Sequence, residues 1–125
     1  MLLSDVQIAI YERMEEKLET SVKDFVPEKD PLPYIVLGRI RSEPFVSKTT
    51  TGKRVTQDIF VFSEAEGKLE TLGIVGEIEE AFEDNLETED VAIVKQVIAS
   101  ESVMETDSGL FSGEVVLELL LNDEE

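Results

Sequence analysis

The chain has 125 residues, of which 42% are hydrophobic, and its 29 acidic against 11 basic side chains give a formal charge of -18. That length suits one domain, residues 1–125, around one buried core, and the charge repels phosphate backbones and anionic membrane surfaces, which argues against sequence-specific nucleic-acid binding and membrane attachment. With neither cysteine nor histidine, disulfide frameworks, thiolate zinc sites, imidazole ligation and Ser-His-Asp catalysis are excluded together.

The N-terminus, Met1-Leu2-Leu3-Ser4-Asp5, has no basic segment followed by a long apolar one. No apolar run approaches the roughly 20 residues that span a bilayer. A soluble, intracellular protein is expected. Ser4-Asp5-Val6-Gln7 fits a capping box, in which the Ser4 hydroxyl accepts from the Gln7 N–H, so a helix is predicted to start there. Leu3 or Val6, then Ile10, Met14 and Leu18 recur at helical spacing, with Glu12, Glu15, Glu16 and Glu19 filling much of the remainder; this is an amphipathic helix ending near Glu19 or Thr20.

Residues 22–26 read as a short strand. Pro27, Pro31 and Pro33 then keep the chain out of helix, because proline fixes φ and lacks a donor N–H, and they feed Tyr34, Ile35, Val36 and Leu37 into a sheet. The strand over residues 34–43 starts with a continuous apolar run, which predicts burial on both faces there. Residues 47–53 form a turn region in which Gly52 is expected to supply a positive φ. Residues 54–63 alternate, with Val55, Ile59 and Val61 on one side and Thr56, Asp58, Phe60 and Phe62 on the other.

Glu64-Ala65-Glu66-Gly67 breaks that strand. Leu69, Leu72, Val75, Ile78 or Glu79, and Phe82 then follow helical spacing up to about Asn85, predicting a second helix that packs through this stripe. Gly73 and Gly76 each cost this helix up to about 1 kcal/mol relative to alanine, so they are expected to mark close approach to the sheet. Residues 91–103 and 111–121 are the last two strands, joined by the turn Thr106-Asp107-Ser108-Gly109. The order helix, strand, strand, strand, helix, strand, strand predicts an α+β fold: a mainly antiparallel sheet of about five strands with two helices packed on one face. Apolar residues on both sides of two strands imply that the second face is covered by another subunit or by a curled hairpin.

Few residues are suited to chemistry. Without histidine, a hydroxyl nucleophile would need a lysine or carboxylate base, and no Ser-x-x-Lys spacing supplies one, so no catalytic residue is assigned and the chain does not read as an enzyme. Gly73-x-x-Gly76 lacks the context of a phosphate cradle. Glu77, Glu80 and Asp84 share a helical face and Glu87, Glu89 and Asp90 follow it, but the spacing of a calcium-binding loop is absent and such runs are mostly hydrated surface, so neither metal nor cofactor is expected. Arg39, Arg41 and Arg54 stand out in an acidic chain. They form a local positive stripe if their two strands pair, fit either for an acidic patch on a neighbour or for ion pairing within the chain. Two functional classes fit this composition: an assembly protein, and an acidic mimic of DNA that inhibits a host nuclease, although the carboxylates here are dispersed rather than aligned on one face.

Taken together, the opening Leu3-Ser4-Asp5-Val6-Gln7-Ile8-Ala9-Ile10-Tyr11 helix, the Val26-Pro27-Glu28 to Tyr34-Ile35-Val36-Leu37-Gly38 segment, Phe60-Val61-Phe62-Ser63 before a Gly-led helix, and the closing Asp107-Ser108-Gly109 hairpin resemble the tail terminator proteins of long-tailed bacteriophages, a family that includes tail completion and tail-to-head joining proteins. The resemblance implies a structural virion protein of the tail and neck, assembled in the host cytoplasm. Such a protein forms a hexameric ring of copies of itself on the head-proximal end of the tail tube, stops tube growth and presents a surface to the head-tail connector protein. A head completion protein or another neck component shares the setting. Open strand edges and the 47–53 arm are the features expected to reach a neighbour or the tail tube protein, which makes Arg39, Arg41, Lys48, Thr50, Gly52, Lys53 and Arg54 the candidate subunit-interface residues.

Overall fold

A computed structural model describes residues 3–46, 48, 51–88 and 92–122. Its elements follow in the order α1 (Leu3–Lys17), β1 (Val22–Lys23), β2 (Tyr34–Val46), β3 (Thr51–Ser63), α2 (Leu69–Ala81), β4 (Ala92–Glu105) and β5 (Phe111–Asn122). The strands form one sheet in the order β1-β2-β3-β5-β4. All neighbours are antiparallel except β1 and β2, which pair in parallel through Val22 with Ile35 and Lys23 with Val36. The fold is α+β, as the element order predicts.

Both helices lie on the same side of this sheet, and strict alternation along β5 shows it most plainly. Phe111, Gly113, Val115, Leu117, Leu119 and Leu121 are buried, while every intervening residue is half-exposed. These buried positions meet Val55, Ile59 and Val61 of β3, Ile35 and Leu37 of β2, Val6, Ile10, Met14 and Leu18 of the α1 region, and Ile74, Val75 and Ile78 of α2 in one apolar cluster. Ile35, Val36 and Leu37 are all buried, in keeping with the apolar run at the start of β2. No element covers the opposite face of the sheet among the described residues, so the curled hairpin is not the way that face is shielded.

Several local expectations need correction. Helix α1 already includes Leu3, so Ser4 lies inside the first turn and is not its cap. The strand expected over residues 22–26 is only two residues long; after it the chain turns, burying Pro27 and leaving Phe25 and Val26 exposed. In α2 the buried stripe is Thr71, Ile74, Val75, Ile78 and Ala81, continued by Phe82, whereas Leu69 and Leu72 are exposed. Val75, Ile78 and Phe82 are buried as predicted, so the helix shows a partial shift of its packed face toward Thr71, Ile74 and Ala81. Its cause is Gly113 on β5: a Cβ there would lie 2.9 Å from Val75 Cγ2 and 3.0 Å from Thr71 Cγ2, so the missing side chain is what lets this face of the helix settle on the sheet. Gly73 and Gly76 have no neighbour within 4 Å of a would-be Cβ and are not the contact glycines.

Gly52 is a further correction. It is paired with Phe45 and Asn122 inside β3, and the positive-φ glycines among the described residues are Gly67 and Gly109. A Cβ at Gly52 would fall 1.7 Å from the Leu121 carbonyl oxygen, so close backbone approach, not turn geometry, requires glycine there. The expected turn at Gly109 is present, with φ of 86° and a 3.0 Å hydrogen bond from its N–H to the Thr106 carbonyl.

Candidate assembly surfaces

Pairing of β2 with β3 places Arg41 opposite Thr56 and Arg54 opposite Glu43, and alternation puts these four on the face away from the helices. A bulge between Leu37 and Ile40 adds one residue to β2, and with it Arg39 joins Arg41, Thr56, Asp58 and Val116 around a shallow hollow of about 330 Å³. The buried Gln57 holds this bulge in shape. Its Nε2 donates to the carbonyls of Gly38 at 3.2 Å, Arg39 at 3.4 Å and Asp58 at 2.8 Å, serving carbonyls that the disrupted ladder would otherwise leave short of donors.

Three of the chain's four arginines therefore share the bare sheet face. They are not equivalent. Arg54 Nε lies 3.4 Å from Glu118 Oε1, and its guanidinium sits 5.6 Å from the centre of the Phe45 ring, so its charge is satisfied within the chain. Arg39 and Arg41 are exposed and enter no ion pair among the described residues. Lys53 faces Leu121, one position out of phase with Arg54, and so points to the helical side. Lys48 is exposed beyond the end of β2, while Thr50 lies outside the described residues, as do Ser47 and Thr49 of the predicted arm. At the other end of the same face Tyr34, Phe60 and Phe62 form an aromatic cluster, with centroids 5.7 Å apart for Tyr34 and Phe62 and 6.4 Å for Phe60 and Phe62. The Phe60 ring covers Gly38, where a Cβ would meet it at 2.4 Å.

The helical side is acidic. Glu16, Glu77, Glu80, Glu83 and Asp84 gather around a hollow of about 640 Å³ between α1 and α2, with Arg13 and Lys17 among them. Arg13 donates to the carbonyls of Ala81 and Asp84, each at 2.8 Å, and of Asn85 at 3.2 Å. Gln96 on β4 completes the same end, donating to Phe82 O at 2.8 Å and Asp84 O at 2.9 Å and accepting from the Leu86 N–H at 2.8 Å. Carbonyls that a helix end leaves free are thus satisfied by side chains from both neighbouring elements. Neither residue carries a sequence signal for this role, since an arginine amid glutamates and a glutamine in a strand read as ordinary surface. Among the described residues no group of three or more His, Cys, Asp or Glu side chains is arranged to hold a metal ion.

Two creases run along the edges of the sheet. One, of about 650 Å³, lies between α1 and the β1–β2 edge and is lined by Leu3, Ile8, Tyr11, Phe25, Leu37 and Ile40 among others. The other, of about 230 Å³, lies between α2 and β4 and contains Leu72, Val75, Glu79, Glu101 and Val103. In the second crease burial raises the Glu101 carboxyl above its ordinary value, aided by the neighbouring Glu79 charge and hydrogen bond. In the first, the Tyr11 hydroxyl donates to Glu15, which raises the tyrosine in the same way.

The family model of tail completion protein gp17 matches residues 2–121. The chain belongs to the tail completion protein gp17 family. Membership makes it a structural protein of the phage tail and a component of the virion. Among solved structures, a chain described as "Virion of native gene transfer agent (GTA) particle" has the same fold, with a TM-score of 0.81 at 19% identity over 95% of this chain and 96% of that one. No match was found among curated proteins. In a tail completion protein the bare sheet face, the free strand edges and the two creases are the surfaces available for assembly.

Proposed function

We propose that this tail completion protein closes the head-proximal end of the phage tail tube as a hexameric ring of its own copies, ends tube growth, and offers its exposed side to the head-tail connector protein. The extent of the family match, residues 2–121, carries this reading, because it takes in every described element of the fold up to the last residue of β5. Composition is consistent with it: a ring around a DNA passage works best when phosphate does not adsorb to it, and a subunit of formal charge -18 repels phosphate.

The contacts in such a ring draw on the β2–β3 arm and its surroundings, Arg39, Arg41, Lys48, Thr50, Gly52, Lys53 and Arg54, with unpaired arginines at β2 meeting acidic surface on a neighbour or on the tail tube protein. The protein acts by binding and geometry, without a catalytic step, and it assembles in the host cytoplasm before joining the neck of the particle. Electron microscopy of particles made without this protein tests the role. Overlong tubes, or tails of ordinary length that carry no head, are the expected result; tails of ordinary length joined to heads would overturn it.

A further inference from the structure

Strand β2 loses its outer neighbour part-way along. Strand β1 pairs with it only through Val22 with Ile35 and Lys23 with Val36, after which the chain turns. From Gly38 onward β2 has β3 on one side and, among the described residues, no strand on the other, so its outward N–H and C=O groups are left to solvent or to an added strand. Pro44 has no N–H to offer, which limits the stretch able to pair fully to residues 38–43.

The bulge decides what this stretch presents. Before it, Tyr34 and Val36 stand opposite Phe62 and Phe60 on the bare side of the sheet; strict alternation from there would send Arg39 and Arg41 toward the helices. The extra residue reverses the phase, so that Ile40 pairs with Gln57 on the helical side and Arg41 with Thr56 on the bare one. Arg39 and Arg41 then leave one face at alternate positions, a repeat of about 6.6 Å that any extended strand shares. Both are exposed and enter no ion pair among the described residues, in a chain with 29 acidic side chains.

On the helical side the same stretch borders apolar ground, because Leu37 and Ile40 line the crease of about 650 Å³ together with Ile8, Tyr11 and Phe25. A strand laid in the column that β1 vacates therefore meets both faces, its side chains alternating between the arginines and this crease. The other free edge of the sheet does not match. In a sheet continued from copy to copy with the helices on one side, β4 brings Lys95, Val97, Ser100, Ser102 and Met104 beside the arginines, and none of these is a carboxylate. Nucleic acid fits no better, since Asp58 shares the hollow with both arginines and a chain of formal charge -18 repels a run of phosphates.

We propose that residues 38–43 of β2 are a docking edge for an extended segment of a partner protein in which acidic and apolar residues alternate, the carboxylates meeting Arg39 and Arg41 on the bare face and the apolar side chains entering the crease beside Ile40 and Phe25. This rests on the reading of the chain as an assembly protein and adds the sequence pattern that its free arginines receive.

Fluorescence anisotropy with a capped, labelled peptide of alternating glutamate and valine tests it at physiological salt, where net repulsion is screened. Saturable binding is expected, with hydrogen–deuterium exchange slowed over residues 38–43 and unchanged over β4. Arg39→Glu with Arg41→Glu, both at exposed positions, is expected to keep the far-UV circular dichroism spectrum and to weaken binding by about tenfold or more, since two attractions become two repulsions. A peptide of the same composition in the order Glu-Glu-Val-Val, which breaks the alternation, is expected to bind several-fold more weakly. No binding of the alternating peptide, equal binding by the charge-reversed variant, equal binding of the two peptides, or protection along β4 in place of β2 would overturn the docking edge; an oligothymidylate that displaces the peptide would overturn it in favour of nucleic acid. Peptide binding and the appearance of particles made without the protein are read separately, so the edge can fail while the capping role stands, and the capping role can fail while the edge stands.

Discussion

Glu101 shows how a single carboxyl couples this fold to pH. Its ionisation is held back by burial and by Glu79, so the folded state retains a proton that the unfolded chain releases near the ordinary value of 4.5. The folded state then binds more protons than the unfolded one between those two points, and stability falls as pH rises through that window. Glu101→Gln removes the loss. Thermal melts of wild type and variant are expected to coincide below pH 4.5 and to separate above it with the variant higher, by under about 1 kcal/mol given how exposed the group is; coincident melts at neutral pH would refute this. Nothing in the sequence marks Glu101 among so many acids, because its environment depends on β4 lying beside α2. The arginines were more legible. Two strands joined by a short turn must pair, and that alone brings Arg41 and Arg54 to one face, but the bulge that adds Arg39 and the amide of Gln57 that supports it depend on contacts across the sheet.

Among the elements, α2 separates local from tertiary causes most clearly. Its apolar spacing announces a helix, yet the face that packs is set by β5, where Gly113 leaves room for Thr71 and Val75. Glycines in the helix looked like contact points because glycine is costly there, whereas the contact glycine sits in the opposing strand. Opposite outcomes follow for one substitution at two sites. Gly73→Ala meets open space and is expected to stabilise the protein by up to about 1 kcal/mol through helix propensity, while Gly113→Ala forces a methyl group against Val75 and Thr71 and is expected to cost about 1–3 kcal/mol through overpacking. Urea denaturation of the two variants checks both signs. A stabilised Gly113→Ala variant would mean that the helix can rise from the sheet without penalty.

At the level of the whole molecule, net charge opposes the proposed self-association. Exposed ion pairs contribute roughly 0–1 kcal/mol each, but two copies of formal charge -18 repel over many pairs at once, within a Debye length of about 8 Å at physiological salt. Screening should therefore strengthen association. Sedimentation velocity over a series of sodium chloride and Mg²⁺ concentrations is expected to show monomer at low ionic strength and growing oligomer as salt rises; an oligomer that falls apart on adding salt would show that a few pairs outweigh the net charge. The α+β class and the placement of both helices on one face were readable from element order, because hairpin-linked strands pair and amphipathic helices must cover the apolar side they leave. The exposure of Leu69 and Leu72 was not, since it depends on which face of α2 the sheet buries. Arg13 and Gln96 reach the end of α2 from α1 and from β4, and this shared grip spans the molecule from one border to the other. One guanidinium and one amide therefore fasten the far end of α2 to its neighbours on both sides, so that a loss of either would let that corner of the helical layer drift from the sheet.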